Sequence, residues 1–111
     1  FRNCDLSTVQ LIGAYLYSAN LGYADLWYAN LGNANLGNAN LWNAYLGNAN
    51  LGYANLGNIQ VNSFSNFQGA VLTGASYLPE TLNTKAKFIS AVGANNVSAE
   101  TIWIDGTSIL N

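Results

Sequence analysis

Histidine and methionine are absent from this chain of 111 residues, and cysteine and proline occur once each. The single Cys4 excludes an intrachain disulfide and leaves no cysteine–histidine set that would bind zinc. Charge is also scarce, because three basic and five acidic side chains make up 7% of the residues. A basic surface that binds nucleic acid is therefore excluded. No apolar run approaches the roughly 20 residues that span a bilayer, so no membrane span is predicted.

What the chain does contain is a period of five residues. A leucine occupies every fifth position from Leu6 to Leu56, and an alanine stands two residues before most of these leucines. Five residues advance an α-helix by about 500°, so these leucines would form no stripe on a helix. On a strand the odd spacing would send successive leucines to opposite faces. Neither regular structure buries this pattern in one core.

A short strand followed by a corner satisfies the period. In a three-residue strand of the pattern Ala-x-Leu, both apolar side chains point to the same side. The next two residues turn the chain, as we expect for Gly37 and Asn38, because glycine adopts any φ and asparagine tolerates positive φ. Repetition with one handedness winds the chain into a β-solenoid, with alanine and leucine inside and the other three residues outside.

The repeated segments resemble the A(D/N)LXX motif of the pentapeptide-repeat family. The segments 34–38 (ANLGN) and 49–53 (ANLGY) carry the motif, and the resemblance covers about residues 4–79. It implies an all-β fold in which the chain forms a right-handed quadrilateral β-helix, with four pentads in each of about four coils. We therefore predict a repeat β-helix over residues 1–79.

Residues 80–111 are predicted to form a C-terminal cap that includes a degenerate last coil. Before this cap the repeat slips by one residue around Ser65-Asn66, where we expect a wider corner or a bulge. The repeat then resumes with inward residues at Phe67, Leu72 and Tyr77. In the cap, inward–outward–inward triplets are predicted at 86–88 and 99–101. A short helix that starts after Asn83 is the alternative to the first triplet.

Four pentads per coil place residues twenty apart in one column, and this gathers aromatic side chains beside one face. The resulting aromatic patch is a candidate interaction surface of six residues: Tyr23, Asp25, Trp27, Tyr28, Trp42 and Tyr45. Exposed aromatic residues indicate contact with a protein or a sugar, although rings that merely cover backbone would give the same pattern. The asparagine columns on neighbouring faces are expected to serve turns and amide ladders, with an ice-ordering surface as the alternative.

No enzymatic activity, cofactor or metal site is predicted. The repeats contain no histidine or lysine. Asp5 and Asp25 would stack about 5 Å apart in one column, on a convex wall that offers no pocket. We instead predict a structural or protein-interaction solenoid that associates with itself, as a dimer or filament, or with another protein. Candidate end-to-end contacts are Phe1, Leu6, Leu11 and Leu16, since an open solenoid end presents unpaired backbone.

Two other functions are weighed against this one. A carbohydrate-binding module would stack sugars on Trp27, Tyr28, Trp42 and Tyr45. The family resemblance also suggests a DNA mimic that inhibits topoisomerases, but this role needs rows of carboxylates that the repeats lack. The sequence does not assign a compartment; a processed N-terminus at Phe1 would favour a secreted or lumenal one. The glycosylation motif at 96–98 is attributed to coincidence, given the many asparagines.

Substitution of Leu36 by aspartate is expected to unfold the protein. The change places an unpaired charge in the middle of the predicted core, which costs about 3–5 kcal/mol. Asn38→Asp is the matched control on the outside and is expected to have little effect. Circular dichroism during thermal unfolding distinguishes the two, and a folded Leu36→Asp variant would contradict the inward assignment.

Overall fold

The structure, a computed structural model, describes all 111 residues. The chain returns alongside itself every twenty residues: parallel β-bridges join Asp5 to Asp25 and recur at every fifth residue as far as Asn40 and Gln60. Each bridge involves only the residue between the inward alanine and leucine. The predicted three-residue strands are thus reduced to single bridged residues and form no extended sheet, because a corner follows every leucine.

Hydrogen bonds between coils hold this winding together. In the pentad 36–40, the N–H groups of Leu36 and Asn38 donate to carbonyls of the next coil at 2.9 and 2.7 Å. The N–H of Asn40 donates to the preceding coil at 2.9 Å. Three of the five backbone donors in this pentad therefore depend on a neighbouring coil.

The corner satisfies the remaining two donors within the same coil. The N–H of Ala39 donates to the carbonyl of Leu36 at 2.9 Å, and Asn38 has a φ of 58°. This combination is found in type II turns, which need a positive φ at their third residue. The N–H of Gly37 donates to Oδ1 of Asn35 at 2.9 Å. The predicted role of Gly-Asn pairs as corners is confirmed.

The leucines and alanines line a continuous core. From Leu21 to Ala54 every residue in these inward positions is at most 1% exposed. The first coil is less covered, since Leu6 and Leu11 remain half-buried. Leu36 is fully buried near the middle of this stack.

The predicted slip of one residue is confirmed. The bridge spacing lengthens from twenty to twenty-one residues after Gln60, and the extra residue widens the corner that follows. Ser65 occupies the inward alanine position and is fully buried. Its hydroxyl donates to the carbonyl of Leu41 at 2.7 Å and accepts the N–H of Asn62 at 3.0 Å. A buried hydroxyl thus replaces backbone pairing that the wider corner loses.

Regular pairing along the tube ends at Ser76. The prediction that Tyr77 points inward is wrong, because this residue has a φ of 65° and is 75% exposed. The left-handed backbone at Tyr77 turns the chain out of the coil before Pro79. The fourth coil therefore lacks its fourth side.

Helix α1 (Lys85–Val92) follows, and a single 3-10 turn spans Ala94–Asn96. Thr84 caps α1, since its Oγ1 accepts the N–H of Lys87 at 3.1 Å. The alternative prediction of a short helix is confirmed, and the triplet at 86–88 is wrong because these residues are helical. Phe88 packs edge-on against Phe67 at 4.9 Å and against Trp103 at 5.5 Å, measured between ring centroids.

The last residue that is bridged to the coils, Ile102, lies two positions further along the chain than the triplet 99–101 predicts. Ile102 bridges Val71, so the inward residues are Thr101 and Trp103. Within the triplet 99–101 the inward prediction is confirmed for Thr101 and is wrong for Ala99, which is exposed. Thr101 is fully buried, and its hydroxyl donates to the carbonyl of Phe67 at 2.7 Å. As at Ser65, a small hydroxyl residue takes the alanine position. The triplet 99–101 gives Thr101 the leucine position instead, because α1 intervenes and sequence spacing alone does not fix the register.

Replacement of Ser65 by alanine is expected to lower the free energy of unfolding by about 1–3 kcal/mol, because it leaves the Asn62 N–H without its acceptor. Ser76→Ala is the matched control, since the Ser76 side chain makes no hydrogen bond, and its effect is expected within about 0.5 kcal/mol. Chemical denaturation of both variants measures the difference. Equal effects would contradict the role given to the Ser65 hydroxyl.

Candidate interaction site

The aromatic patch occupies two neighbouring corners of the tube and the face between them. Tyr23 and Trp42 share one corner in successive coils, where the Tyr23 N–H donates to the Trp42 carbonyl at 2.9 Å. Trp27 and Tyr28 form the next corner, with ring centroids 4.2 Å apart and planes at 90°. These four side chains are 39–53% exposed.

The two remaining patch residues, Asp25 and Tyr45, are bridged to each other on the intervening face. The ring of Tyr45 lies over Gly47, where an added Cβ would come within 2.9 Å of it. Part of this ring therefore covers corner backbone, which is the structural role considered above. The Arg2 guanidinium lies 5.2 Å from the Tyr23 ring centroid, a cation–π contact.

Several tyrosines stand at backbone positions that disfavour them. Tyr23, Tyr28 and Tyr53 have φ values of 58–60°, in the left-handed region that asparagine occupies at equivalent corners. A left-handed conformation costs an ordinary L-residue about 1–2 kcal/mol. Large exposed side chains in this unfavourable backbone conformation favour a role in binding.

The candidate end contacts differ in how much surface they present. Phe1 is 62% exposed and Leu6 and Leu11 are half-buried, whereas Leu16 is only 7% exposed. Leu16 therefore contributes less to an end surface than its place in the first coil suggests.

The carboxylates of Asp5 and Asp25 do not form a joint site. Asp25 accepts the N–H of Trp27 at 3.1 Å. Asp5 accepts both the hydroxyl and the N–H of Ser7, at 2.6 and 3.0 Å. These two bonds, the hydroxyl first, hold the pKa of the Asp5 carboxyl below its ordinary value. Each carboxylate thus faces the corner that follows it.

The asparagines between the two inward residues of a pentad serve the same purpose. Their side-chain oxygen accepts the backbone N–H two residues on, a bond seen for Asn20, Asn30, Asn35, Asn40, Asn50, Asn55 and Asn66. Side-chain amides bond from coil to coil at two places, from Asn50 to Asn30 at a long 3.4 Å and from Asn62 to Asn43 at 2.8 Å, and they form no continuous ladder. Corner formation, rather than ladder formation, explains these asparagines.

A groove that the sequence analysis missed lies beside helix α1. Its volume is about 430 Å³, and its lining consists of Trp42, Ile59, Gln60, Val61, Thr81, Leu82 and Ala91. Trp42 is the only member of the aromatic patch that lines it. The repeat pattern breaks between Pro79 and Thr84, and this break is the sequence signal that one side of the last coil is missing.

The family model described as pentapeptide repeats matches residues 1–27 and 28–62 with eight copies. The chain belongs to the pentapeptide-repeat family. Members of this family fold as right-handed quadrilateral β-helices and are generally not enzymes. A comparison with curated protein sequences gave no match.

Three solved structures of this kind are similar to the chain. A pentapeptide repeat protein of the Arabidopsis thaliana thylakoid lumen is 27% identical, over 71% of this chain and 57% of its own, with a TM-score of 0.46. HetL, a pentapeptide repeat protein involved in heterocyst differentiation regulation in the cyanobacterium Nostoc sp., is 25% identical. The match covers 89% of this chain and 42% of HetL, with a TM-score of 0.36. QnrB1, a plasmid-mediated fluoroquinolone resistance protein, is 21% identical. The match covers 69% of this chain and 43% of QnrB1, with a TM-score of 0.38. The chain spans about half the length of these structures.

The asparagine of the glycosylation motif that follows the pentapeptide repeats has a structural role. Nδ2 of Asn96 donates to the carbonyls of Ser63 and Val92, both at 2.8 Å. Both amide hydrogens are therefore engaged, and they tie the end of helix α1 to the widened corner.

The structure contains no group of three or more metal-ligating side chains drawn from histidine, cysteine, aspartate and glutamate. It also contains no helix whose length and apolar character would suffice to cross a membrane.

Loss of stability at low pH is expected to depend on Asp5 and Asp105. Hydrogen bonds from Thr107 lower the pKa of Asp105, as those from Ser7 lower the pKa of Asp5. The stability that these carboxylates contribute is complete above their ordinary pKa of 3.8 and is lost as the pH falls through their folded values. The melting temperature of an Asp5→Asn, Asp105→Asn double variant should therefore fall less below pH 3.8 than that of the wild type. Parallel curves would contradict this.

Proposed function

We propose that this pentapeptide-repeat chain is a non-enzymatic protein-interaction module that pairs with a second copy through its first coil. The observation that carries the proposal is a row of backbone groups in that coil that no residue within 1–111 pairs. The N–H groups of Asp5, Gln10, Tyr15 and Asn20 have no acceptor within the chain, nor do the carbonyls of these residues have a donor. In the next coil the equivalent groups are paired.

Apolar surface at the same edge supports the proposal. Leu6 and Leu11 are half-buried, whereas Leu26 and Leu31, one coil further along, are fully buried. A second coil laid on this edge would bury the exposed part of these side chains. Unpaired edges with apolar residues are templates for association.

The low charge of the chain also favours self-association. Between Leu6 and Pro79 the only charged side chain is that of Asp25. Like charges that would keep two copies apart are therefore few. The opposite end of the tube carries α1 and the aromatic cluster of Phe67, Phe88 and Trp103, so an end-to-end dimer is favoured over a filament.

We also infer the finer architecture that the family implies. The chain would form a right-handed, four-sided β-helix over residues 1–79, with residues 80–111 as its C-terminal cap. The twenty-residue bridge period supports four sides, and helix α1 after the last bridge supports the division.

The other two functions have less support. Of the five acidic residues only Asp5 and Asp25 lie on the bridged coils, too few for a DNA mimic. Trp27 meets Tyr28 edge-on, which does not offer the flat paired platform that a sugar-binding site would use. We propose the aromatic patch as a second surface for contact with another protein.

Size-exclusion chromatography with light scattering tests the proposed pairing. At high micromolar concentration we expect a dimer of the 11.8 kDa chain. Leu11→Lys should give a monomer, because a charge on the pairing edge opposes association. Tyr53→Lys, which adds the same charge at a corner exposed to 67%, is the matched control. A wild-type protein that stays monomeric would contradict the proposal.

A further inference from the structure

The groove beside helix α1 lies where the fourth coil lacks its fourth side. The bridged segment that would stand there, opposite Gln60, is called the missing rung. On the other three sides of the third coil, the inward residues donate and accept hydrogen bonds with the fourth coil. Leu51, for example, donates to the carbonyl of Val71 at 2.7 Å, and the N–H of Val71 donates to Ala49 at 2.9 Å. On the remaining side the chain has already turned away at Tyr77, so no residue takes the place of Val71.

The groups that such a rung would use are free at this position. The carbonyl of Ile59 accepts no hydrogen bond, and the N–H of Val61 has no acceptor within the chain. These atoms correspond to the Ala49 carbonyl and the Leu51 N–H of the neighbouring side. Ile59 and Val61 both line the groove, which places the unpaired groups where an added segment would lie.

The walls of the groove determine what fits. Five of the seven lining residues are hydrophobic, and none carries a charge. The volume of about 430 Å³ is in the range of small-molecule ligand sites, about 300–1,000 Å³. Leu82 is 3% exposed and Trp42 is 52% exposed, so one wall is part of the core and the other is available to an incoming side chain.

We propose that this groove binds an extended, uncharged peptide segment of another polypeptide as the missing rung. The segment would run parallel to residues 59–61. The N–H of its central residue would donate to the Ile59 carbonyl, and the carbonyl of the same residue would accept the Val61 N–H. Small and aliphatic residues on either side would point into the tube, as alanine and leucine do elsewhere. This is strand addition to a free edge, with pockets for alternate side chains.

The site is independent of the proposed dimer. It lies on the third coil and helix α1, whereas the dimer uses the first coil. Failure of either proposal therefore leaves the other standing.

A peptide made from the protein's own repeat tests the proposal. The blocked hexapeptide of residues 32–37, GNANLG, supplies the small-x-aliphatic pattern without charge. Trp42 serves as the reporter in a Trp27→Phe background, because the third tryptophan, Trp103, is only 5% exposed. We expect a saturable change in Trp42 fluorescence and a shift of the Val61 amide proton in NMR spectra.

The decisive control is the same peptide N-methylated at its second asparagine, which cannot donate to the Ile59 carbonyl. It should bind about tenfold more weakly, as expected for one lost hydrogen bond. This comparison uses the same protein for both peptides, so it does not depend on the folding of a groove variant. Equal binding of the two peptides, or the absence of any response at Trp42 and Val61, would overturn the proposal.

Variants locate the bound peptide. Thr81→Arg places a charged side chain in the groove from an exposed position and should abolish binding. Ser90→Arg adds the same charge on an exposed residue of α1 that does not line the groove, and it should bind the peptide as the wild type does. Unchanged binding to Thr81→Arg would overturn the assignment to this groove.

Discussion

The structure depends on backbone hydrogen bonds that pass between coils. In the pentad 36–40 every backbone N–H has an acceptor, and three of the five acceptors lie in the coil above or below. Because unpaired buried backbone groups are costly, a single coil would leave most of its donors unsatisfied. Stability therefore arises from stacking, which is why the repeats occur in succession.

The sequence predicts those features that repeat. The leucine period predicts the inward positions, the Gly-Asn pairs predict the corners, and the one-residue slip before Phe67 predicts the widened corner. Each of these follows from local geometry that every coil shares. The asparagines before the leucines are predicted to serve both turns and amide ladders, and the turn role is confirmed by their bonds to the N–H two residues on. The continuous ladder is not formed, because the side-chain oxygen is already engaged at the corner.

The features that do not repeat are those that sequence spacing misses. Tyr77 stands in the right place for an inward residue, yet its left-handed backbone turns the chain out of the coil. Thr101 points inward as predicted but takes the alanine rather than the leucine position, because its register depends on how helix α1 packs against Phe67. The groove follows from the same departure, since a missing side becomes visible only when the path of the chain is known. Tertiary packing, rather than local pattern, decides all three.

Amide hydrogen exchange measured by NMR tests the central role of inter-coil pairing most directly. The account predicts strong protection at Asn30, Asn40 and Asn50, whose N–H groups donate to the preceding coil. It predicts fast exchange, in dilute protein, at Gln10 and Val61, which occupy open edges. Uniformly fast exchange across residues 21–56, or protection at Gln10 and Val61 equal to that of the paired residues in a monomer, would contradict it.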